Sequence, residues 1–244
     1  MNNLRILLLT ALITFILGGT SVFADRPYEF SVSDAMTIND ETEHWKISMT
    51  VPRISGMADE AEQLEINTHF RSVTNEIRHE YQESVAHAVE SIKQGNDPNF
   101  LYEYRYDVIT DNEDFYVIQT SFIYRSSSLT ESSEYWTLDK ATGRLLNFED
   151  VVKTWIERAE IRNQIFMAMS KYNHDVGAPV YWTHNNSLDE ALAHVGEQHH
   201  WYFNEDGDLV ITFDKFEIGP AIVGSPHFTI DHASFNRSQC THCP

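Results

Sequence analysis

The C-terminal segment CTHCP holds the side chains best suited to metal binding or redox chemistry. Cys240 and Cys243, the only cysteines of the chain, flank His242, and thiolates and imidazoles are the usual ligands of structural zinc. Such a site normally has four spaced ligands, and no second Cys-x-x-Cys or His-x-x-x-His is present. A disulfide between these two cysteines would cross-link nothing distant. We favour a tail without a chemical role over metal binding or redox chemistry.

Three further histidines cluster just before a predicted strand. Adjacent histidines on a strand point to opposite faces, so two of them cannot easily share a ligand. A shared metal is the alternative to ordinary surface or boundary histidines, and we favour the second for His194, His199 and His200. We predict no metal site and no cofactor.

The segment NEDGD, residues 204–208, resembles a calcium-binding loop because oxygen ligands alternate along it. In such a loop the sixth position is glycine and the twelfth is glutamate. Here these positions are Leu209 and Lys215. A hairpin turn centred on Asp206 and Gly207 explains the segment better than calcium does.

No catalytic motif is present in this strongly acidic chain. It lacks a Gly-x-Ser-x-Gly turn, a His-Glu-x-x-His pair and a glycine-rich phosphate loop. With 37 acidic and 17 basic residues, spacing alone cannot nominate an acid–base pair. A net charge of −20 repels nucleic acid and attracts cationic partners, although solubility alone would also explain it. We predict a binding or accessory protein, with an envelope enzyme of unrecognised type as the alternative.

The first 24 residues have the order of a secretory signal. Arg5 supplies positive charge, residues 4–17 are mostly apolar, and Val22 and Ala24 frame a small-residue cleavage site. An uncleaved anchor is the alternative. We predict a signal peptide over 1–24, a single domain over 25–235 and a tail over 236–244. The mature chain would be periplasmic or extracellular, without a stable membrane span.

Hydrophobic periodicity divides the remaining chain into two halves. Alternating strands over 26–52 precede a long amphipathic helical pattern that Gly95 and Pro98 end, and three more alternating segments follow. A second helix is predicted over 149–172, and a third begins at Ser187, which we expect to be the N-cap of a capping box with Glu190. We predict an α+β fold, an antiparallel sheet packed on one long helix, with a second helix-plus-strand half.

An apolar, proline-punctuated loop separates the last two predicted strands. The prolines keep the segment AIV out of either strand, and the glycines permit sharp reversals. We expect Ile218, Ile222 and Val223 to pack inward over one end of the sheet. The residues assigned to this structural loop are Phe213, Phe216, Gly219, Pro220 and Gly224.

Four stretches resemble segments of the RsiV-like extracytoplasmic domain family, in the same order. They are VPRISGMADEAEQLEIN (51–67), TLDKATGRLLNFEDVV (137–152), WYFNEDGDLVITF (201–213) and FDKFEIGPAIVG (213–224), and from first to last they span most of residues 28–231. The resemblance implies an α+β fold outside the cytoplasmic membrane. Relatives include a lysozyme-binding domain of an anti-sigma factor and a non-catalytic module of a peptidoglycan deacetylase. It therefore implies a cationic muramidase such as lysozyme, or a cell-wall fragment, as partner.

The chain departs from the family pattern in one segment, YRSSSLTESSEYW, where relatives carry a different turn. Ala221 and Phe216 also replace tyrosines of the family signature. We expect the changed segment to be either a solvated hairpin loop or a recognition loop, and only five residues precede the apolar segment, which disfavours an anti-sigma role. The candidate binding residues are Ser126, Ser127, Ser128, Glu131, Glu134 and Tyr135.

We predict cleavage after Ala24, because charge, apolar run and small residues fall in the order that signal peptidase requires. The intact mass of protein recovered from the envelope fraction measures this. A full-length, membrane-embedded species would contradict it.

Overall fold

The computed structural model describes residues 27–184 and 186–231. The predicted signal peptide, the tail and both cysteines lie outside these ranges. A six-stranded sheet is formed in sequence order by β1 (Ser31–Glu41), β2 (Trp45–Ser55), β3 (Phe100–Asp111), β4 (Phe115–Arg125), β5 (Leu129–Asp139) and β6 (Arg144–Leu145). The long helix α1 (Glu60–Lys93) connects β2 to β3 and packs on this sheet.

The second half contributes three helices and a three-stranded sheet. Its elements are α2 (Phe148–Val151), α3 (Trp155–Val176), α4 (Ser187–His194), β7 (Trp201–Phe203), β8 (Leu209–Thr212) and β9 (His227–Ile230). The predicted α+β class and the division into a helix-packed sheet and a helix-plus-strand half are confirmed. The single-domain span 25–235 stays a prediction.

One strand pair departs from the antiparallel pattern. Strands β2 and β3 are parallel, from Trp45 opposite Phe100 to Met49 opposite Tyr104. A parallel pair needs a long crossover between its strands, and α1 is that crossover. The sequence pattern identified the helix but not the strand direction that it imposes.

Helix α1 buries the apolar stripe that its sequence predicts. Asp59 caps its first turn by accepting from the Ala61 N–H at 2.8 Å, and Gly95 follows its C-terminus with φ +86°. Phe70 and Ile77 are buried against the sheet, whereas Leu64 of the predicted stripe is 61 % exposed. The stripe is therefore a core face along most of its length.

A buried asparagine joins α1 to the far end of β2. Beyond Met49, β2 no longer pairs with β3 and its backbone needs other partners. The Asn67 side chain supplies them for Ile54: its Oδ1 accepts from the Ile54 N–H at 2.8 Å, and its Nδ2 donates to the Ile54 carbonyl at 2.9 Å. One side chain thus completes the backbone hydrogen bonding of the strand end.

The predicted second helix is two helices. Its first turn, α2, ends at Val151, and Thr154 then caps α3 in a reciprocal capping box with Glu157. The prediction that Ser187 is an N-cap was wrong, because α4 begins at Ser187 and Asn186 holds the cap position. The sequence motif is displaced from the cap by one residue.

The proline-punctuated loop packs only in part as expected. Ile218 is buried, but Ile222 is 87 % exposed, so its predicted inward packing was wrong. The reason is a 3-10 turn over Ala221–Val223, which directs Ile222 outward. A Cβ at Gly219 would lie 2.7 Å from the Val223 Cγ2, so a larger residue at this position would have to displace the Val223 side chain.

The other residues assigned to the proline-punctuated loop differ in burial and in backbone conformation. Phe213 is buried, while Phe216 has a φ of 76° and is 59 % exposed. Pro220 precedes the 3-10 turn with a φ of −69°, and Gly224 ends it with a φ of +70°.

Across residues 27–184 and 186–231, no helix combines the length and apolar character needed to span a bilayer.

We expect Asn67→Ala to lower the free energy of unfolding by about 2–4 kcal/mol, because it leaves a buried N–H and carbonyl without partners. Urea unfolding measures this, with the exposed Glu65→Ala on the same helix as control. A loss no larger than that of the control would show that the Ile54 backbone finds other partners.

Candidate functional site

A polar cavity lies where the two sheets meet. Its volume is about 280 Å³, and strand β5, the end of β8 and the start of β9 form most of its wall. The lining residues are Gln119, Glu131, Ser133, Tyr135, Thr212, Phe213, Asp214, Ser225 and His227. Carboxylate, hydroxyl, amide and aromatic groups therefore share one concave surface, as in many binding sites.

Two adjacent histidine carbonyls hold the wall of this cavity together. The His199 carbonyl accepts from the Tyr135 N–H at 2.8 Å, and the His200 carbonyl accepts from the Thr212 N–H at 2.8 Å. His199 has a φ of 52°, a left-handed conformation that is uncommon for a residue with a side chain. The Tyr135 and Tyr202 rings stack across the same junction with centroids 4.7 Å apart. These contacts fix β5 against the second sheet.

Strand alternation divides the predicted binding residues between two faces. Glu131 and Tyr135 line the cavity, whereas Glu134 points to the opposite face, where its Oε2 lies 3.4 Å from the His69 Nε2 of α1. Residues 126–128 form the exposed hairpin tip, in which the Ser126 N–H donates to the Ser128 carbonyl at 3.0 Å. The segment expected to be one loop is thus a tip followed by a strand.

Two carboxylates, Glu131 and Asp214, line the cavity, and a third, Glu217, accepts from the Asp214 backbone. In the part of the chain that the structure describes, no Lys or Arg forms a salt bridge with Glu131, Asp214 or Glu217. Burial, together with the neighbouring Glu217, Glu131 and Glu134 carboxylates, raises the pKa of Asp214 to about 6. The Asp214 N–H donates to the Glu217 Oε2 at 2.6 Å, which fixes the two residues together.

Nearby histidines do not neutralise these carboxylates. The Nε2 of His200 lies 3.8 Å from the Asp214 Oδ2, and its Nδ1 lies 3.9 Å from the Glu217 Oε2. His200 is 95 % buried, and this burial lowers its pKa, as burial also does for His227. Both rings are therefore mainly neutral at pH 7, and the cavity keeps a negative charge that favours a cation.

The three histidines that cluster in the sequence have different neighbours in the structure. His194 lies on α4 with its Nδ1 3.3 Å from the Glu197 Oε2, and the His199 ring stacks on Trp136 at 4.2 Å. His200 faces the carboxylates instead. Within residues 27–184 and 186–231, no group of three or more His, Cys, Asp or Glu side chains has metal-site geometry.

Most residues that line the cavity were not among the binding residues predicted from the sequence. Asp214 and Glu217 lie in FDKFEIG, the stretch that we assigned to structure alone, and their spacing of three residues in a turn was the available signal. Residues on three other segments also line the cavity and carry no local signal, because only the tertiary fold brings them together. These residues are Gln119, Thr212, Ser225 and His227.

Comparison with models of known protein families gave no match. The chain is 24 % identical over 227 residues to the anti-sigma-V factor RsiV of Bacillus subtilis (strain 168), covering 92 % of this chain and 77 % of that protein. The chain is therefore similar to RsiV over most of its length. This confirms the resemblance that the four ordered segments indicated.

One solved structure supports the same fold. A DUF3298 family protein from Bacteroides fragilis NCTC 9343 matches with a TM-score of 0.58 and 11 % identity, covering 87 % of this RsiV-like chain and 94 % of that chain. A DUF3298 family protein from Pseudomonas aeruginosa PAO1 matches with a TM-score of 0.47 and 12 % identity over the same shares. At this identity the first match shows the architecture alone.

We expect Asp214→Asn to stabilise the protein at pH 7. The folded-state pKa of Asp214 is raised above its ordinary value, so the folded state loses stability as pH rises from about 4 to about 6 and the side chain ionises. Allowing for its partial exposure, the variant should gain about 1–2 kcal/mol at pH 7 and nothing below pH 4. Urea unfolding at both pH values measures this.

The exposed hairpin residue Asp206 provides the matched control, because Asp206→Asn removes the same charge away from the cavity. Equal effects of the two variants at pH 7 would contradict a raised pKa at Asp214.

Proposed function

We propose that this RsiV-like chain is an exported, non-catalytic binding domain of the cell envelope whose junction cavity accepts a cationic group of a protein ligand, with lysozyme as the model ligand. The observation that carries the proposal is that Glu131 and Asp214 of the cavity, and Glu217 beside Asp214, have no Lys or Arg salt-bridge partner among the described residues. A ligand that supplies the missing cation would remove the repulsion among these groups.

The size of the cavity suits one inserted side chain. Its volume of about 280 Å³ lies just below the range for small-molecule pockets. A lysine or arginine side chain could reach Glu131 and Asp214, and the neutral oxygens of Gln119 and Ser133 offer further acceptors. The desolvated setting strengthens each of these hydrogen bonds.

Exposed apolar residues beside the cavity favour a protein ligand over a small cation. Phe216 follows Asp214 by two residues, and Ile222 precedes Ser225 by three; these side chains are 59 % and 87 % exposed. Aromatic and aliphatic anchors around a buried polar contact are typical of protein–protein interfaces. The net charge of −20 would also accelerate encounter with a basic protein.

Two variants on one strand test the proposal. At low salt and pH 7.5, Glu131→Gln should weaken lysozyme binding about tenfold or more, because it removes a carboxylate from the cavity. Glu134→Gln removes the same charge from the opposite face of β5, from where Glu134 acts on Asp214 only at a distance, and should weaken binding less than Glu131→Gln does. Interferometry with immobilised protein measures both.

Salt and pH provide independent arms of the experiment. Binding should weaken between 0.1 and 1 M salt, as the Debye length falls from about 10 Å to about 3 Å, and should be weaker at pH 5 than at pH 7.5 because Asp214 becomes protonated. Absence of lysozyme binding at low salt would exclude lysozyme as the ligand. Binding of cell-wall fragments in its place would favour the cell-wall alternative.

A further inference from the structure

A second polar cavity lies beside α1, away from the junction cavity, and shares no lining residue with it. Its volume is about 360 Å³, and it is enclosed by β1, the end of β2 and the first half of α1. The lining residues are Ser33, Asp34, Ala35, Pro52, Arg53, Asn67 and Arg71. Two arginines therefore border one concave surface in a chain with 37 acidic residues.

A strand irregularity shapes this cavity. The register of β1 on β2 shifts between Asp34 and Met36, so Ala35 has no partner, and the opposite residue is Pro52, which has no N–H to donate. At this shift the alternation of buried and exposed side chains along β2 changes phase. Pro52 and Ile54 are buried, and Arg53 between them is exposed. Strand β2 thereby presents a guanidinium group at the rim.

Helix α1 supplies the second arginine at a fixed position. Asn67 is tied to the Ile54 backbone by two hydrogen bonds, which holds this part of α1 against the end of β2. Arg71 follows one turn later, and its Nε donates to the Asn67 carbonyl at 3.3 Å. The backbone attachment that completes β2 thus also places Arg71 at the cavity.

Neither arginine has a carboxylate partner. Among the described residues, Arg105, Arg144, Arg158 and Arg162 each form a salt bridge with a Glu or Asp side chain, whereas Arg53 and Arg71 form none. The acidic residue of the cavity, Asp34, accepts from the Tyr106 hydroxyl at 2.6 Å. Two guanidinium groups and one carboxylate leave the cavity with a net positive charge inside an acidic protein.

We propose that this cavity binds a small carboxylate, with Arg53 and Arg71 donating hydrogen bonds to its oxygens. Guanidinium groups match the planar geometry of carboxylates and bind oxyanions through paired N–H donors. The Ser33 hydroxyl offers a further donor at the same surface. Asp34 disfavours a second negative charge on the ligand, so a monoanionic carboxylate suits the cavity better than a dianionic phosphate.

Titration of the full chain by nuclear magnetic resonance at low ionic strength tests this site. N-acetylalanine is the carboxylate probe, N-acetylalanine amide is its neutral counterpart, and inorganic phosphate is the competing oxyanion. We expect N-acetylalanine to shift backbone signals of residues 33–35 and 53, with little response to the amide. Arg53→Gln and Arg71→Gln should each weaken binding at least fivefold.

Arg78→Gln is the matched control, because Arg78 is exposed two turns further along α1 and does not line the cavity. It should bind the probe as the parent chain does. Absence of carboxylate binding, equal responses to the acid and its amide, tighter binding of phosphate, or equal losses in all three arginine variants would each overturn the proposal. Thermal unfolding of every variant confirms that the fold is intact.

Discussion

The dipeptide His199-His200 joins the second sheet to the first, because its two carbonyls bond to strands of different sheets. Tyr135 of β5 donates to the His199 carbonyl, and Thr212 of β8 donates to the His200 carbonyl, both at 2.8 Å. The left-handed φ of His199 allows the two carbonyls of this dipeptide to accept from strands on both sides. The His199 ring stacks on Trp136. The polar cavity exists because this junction brings β5 against β8 without closing the space between them.

The same junction determines the electrostatics of the cavity. Once β8 lies against β5, Asp214 and Glu217 are partly withdrawn from water beside Glu131, and burial keeps His200 mainly neutral. The fold therefore holds like charges together without a basic partner in the described chain. Such an arrangement opposes folding stability, and a bound cation would offset that cost. Natural proteins often place destabilising polar groups at sites that serve binding.

Sequence patterns identified elements better than they identified directions and neighbours. The α1 stripe is visible because Phe70 and Ile77 follow the helical period, and the RsiV-like segments follow a recognisable order. The parallel pairing of β2 and β3 depends on a crossover, and the outward direction of Ile222 depends on a short 3-10 turn. Neither leaves a periodic signal in the sequence.

The candidate site shows the same limit. Glu131 and Tyr135 were selected because their segment departs from the family pattern, and strand alternation then separated them from Glu134. Asp214 was overlooked because FDKFEIG reads as a turn, and its significance comes from burial and neighbouring charge. Local patterns report periodicity, whereas desolvation depends on segments that are distant in the chain.

Cation binding at the cavity is best tested by the pKa of Asp214, measured by carbon-13 nuclear magnetic resonance in the free protein and in the presence of saturating lysozyme. We expect a value near 6 in the free protein, because burial and the neighbouring carboxylates disfavour ionisation. We expect a clear fall in this pKa when the ligand places a cation in the cavity. An ordinary pKa in the free protein, or a raised pKa that lysozyme leaves unchanged, would contradict cation binding at this site.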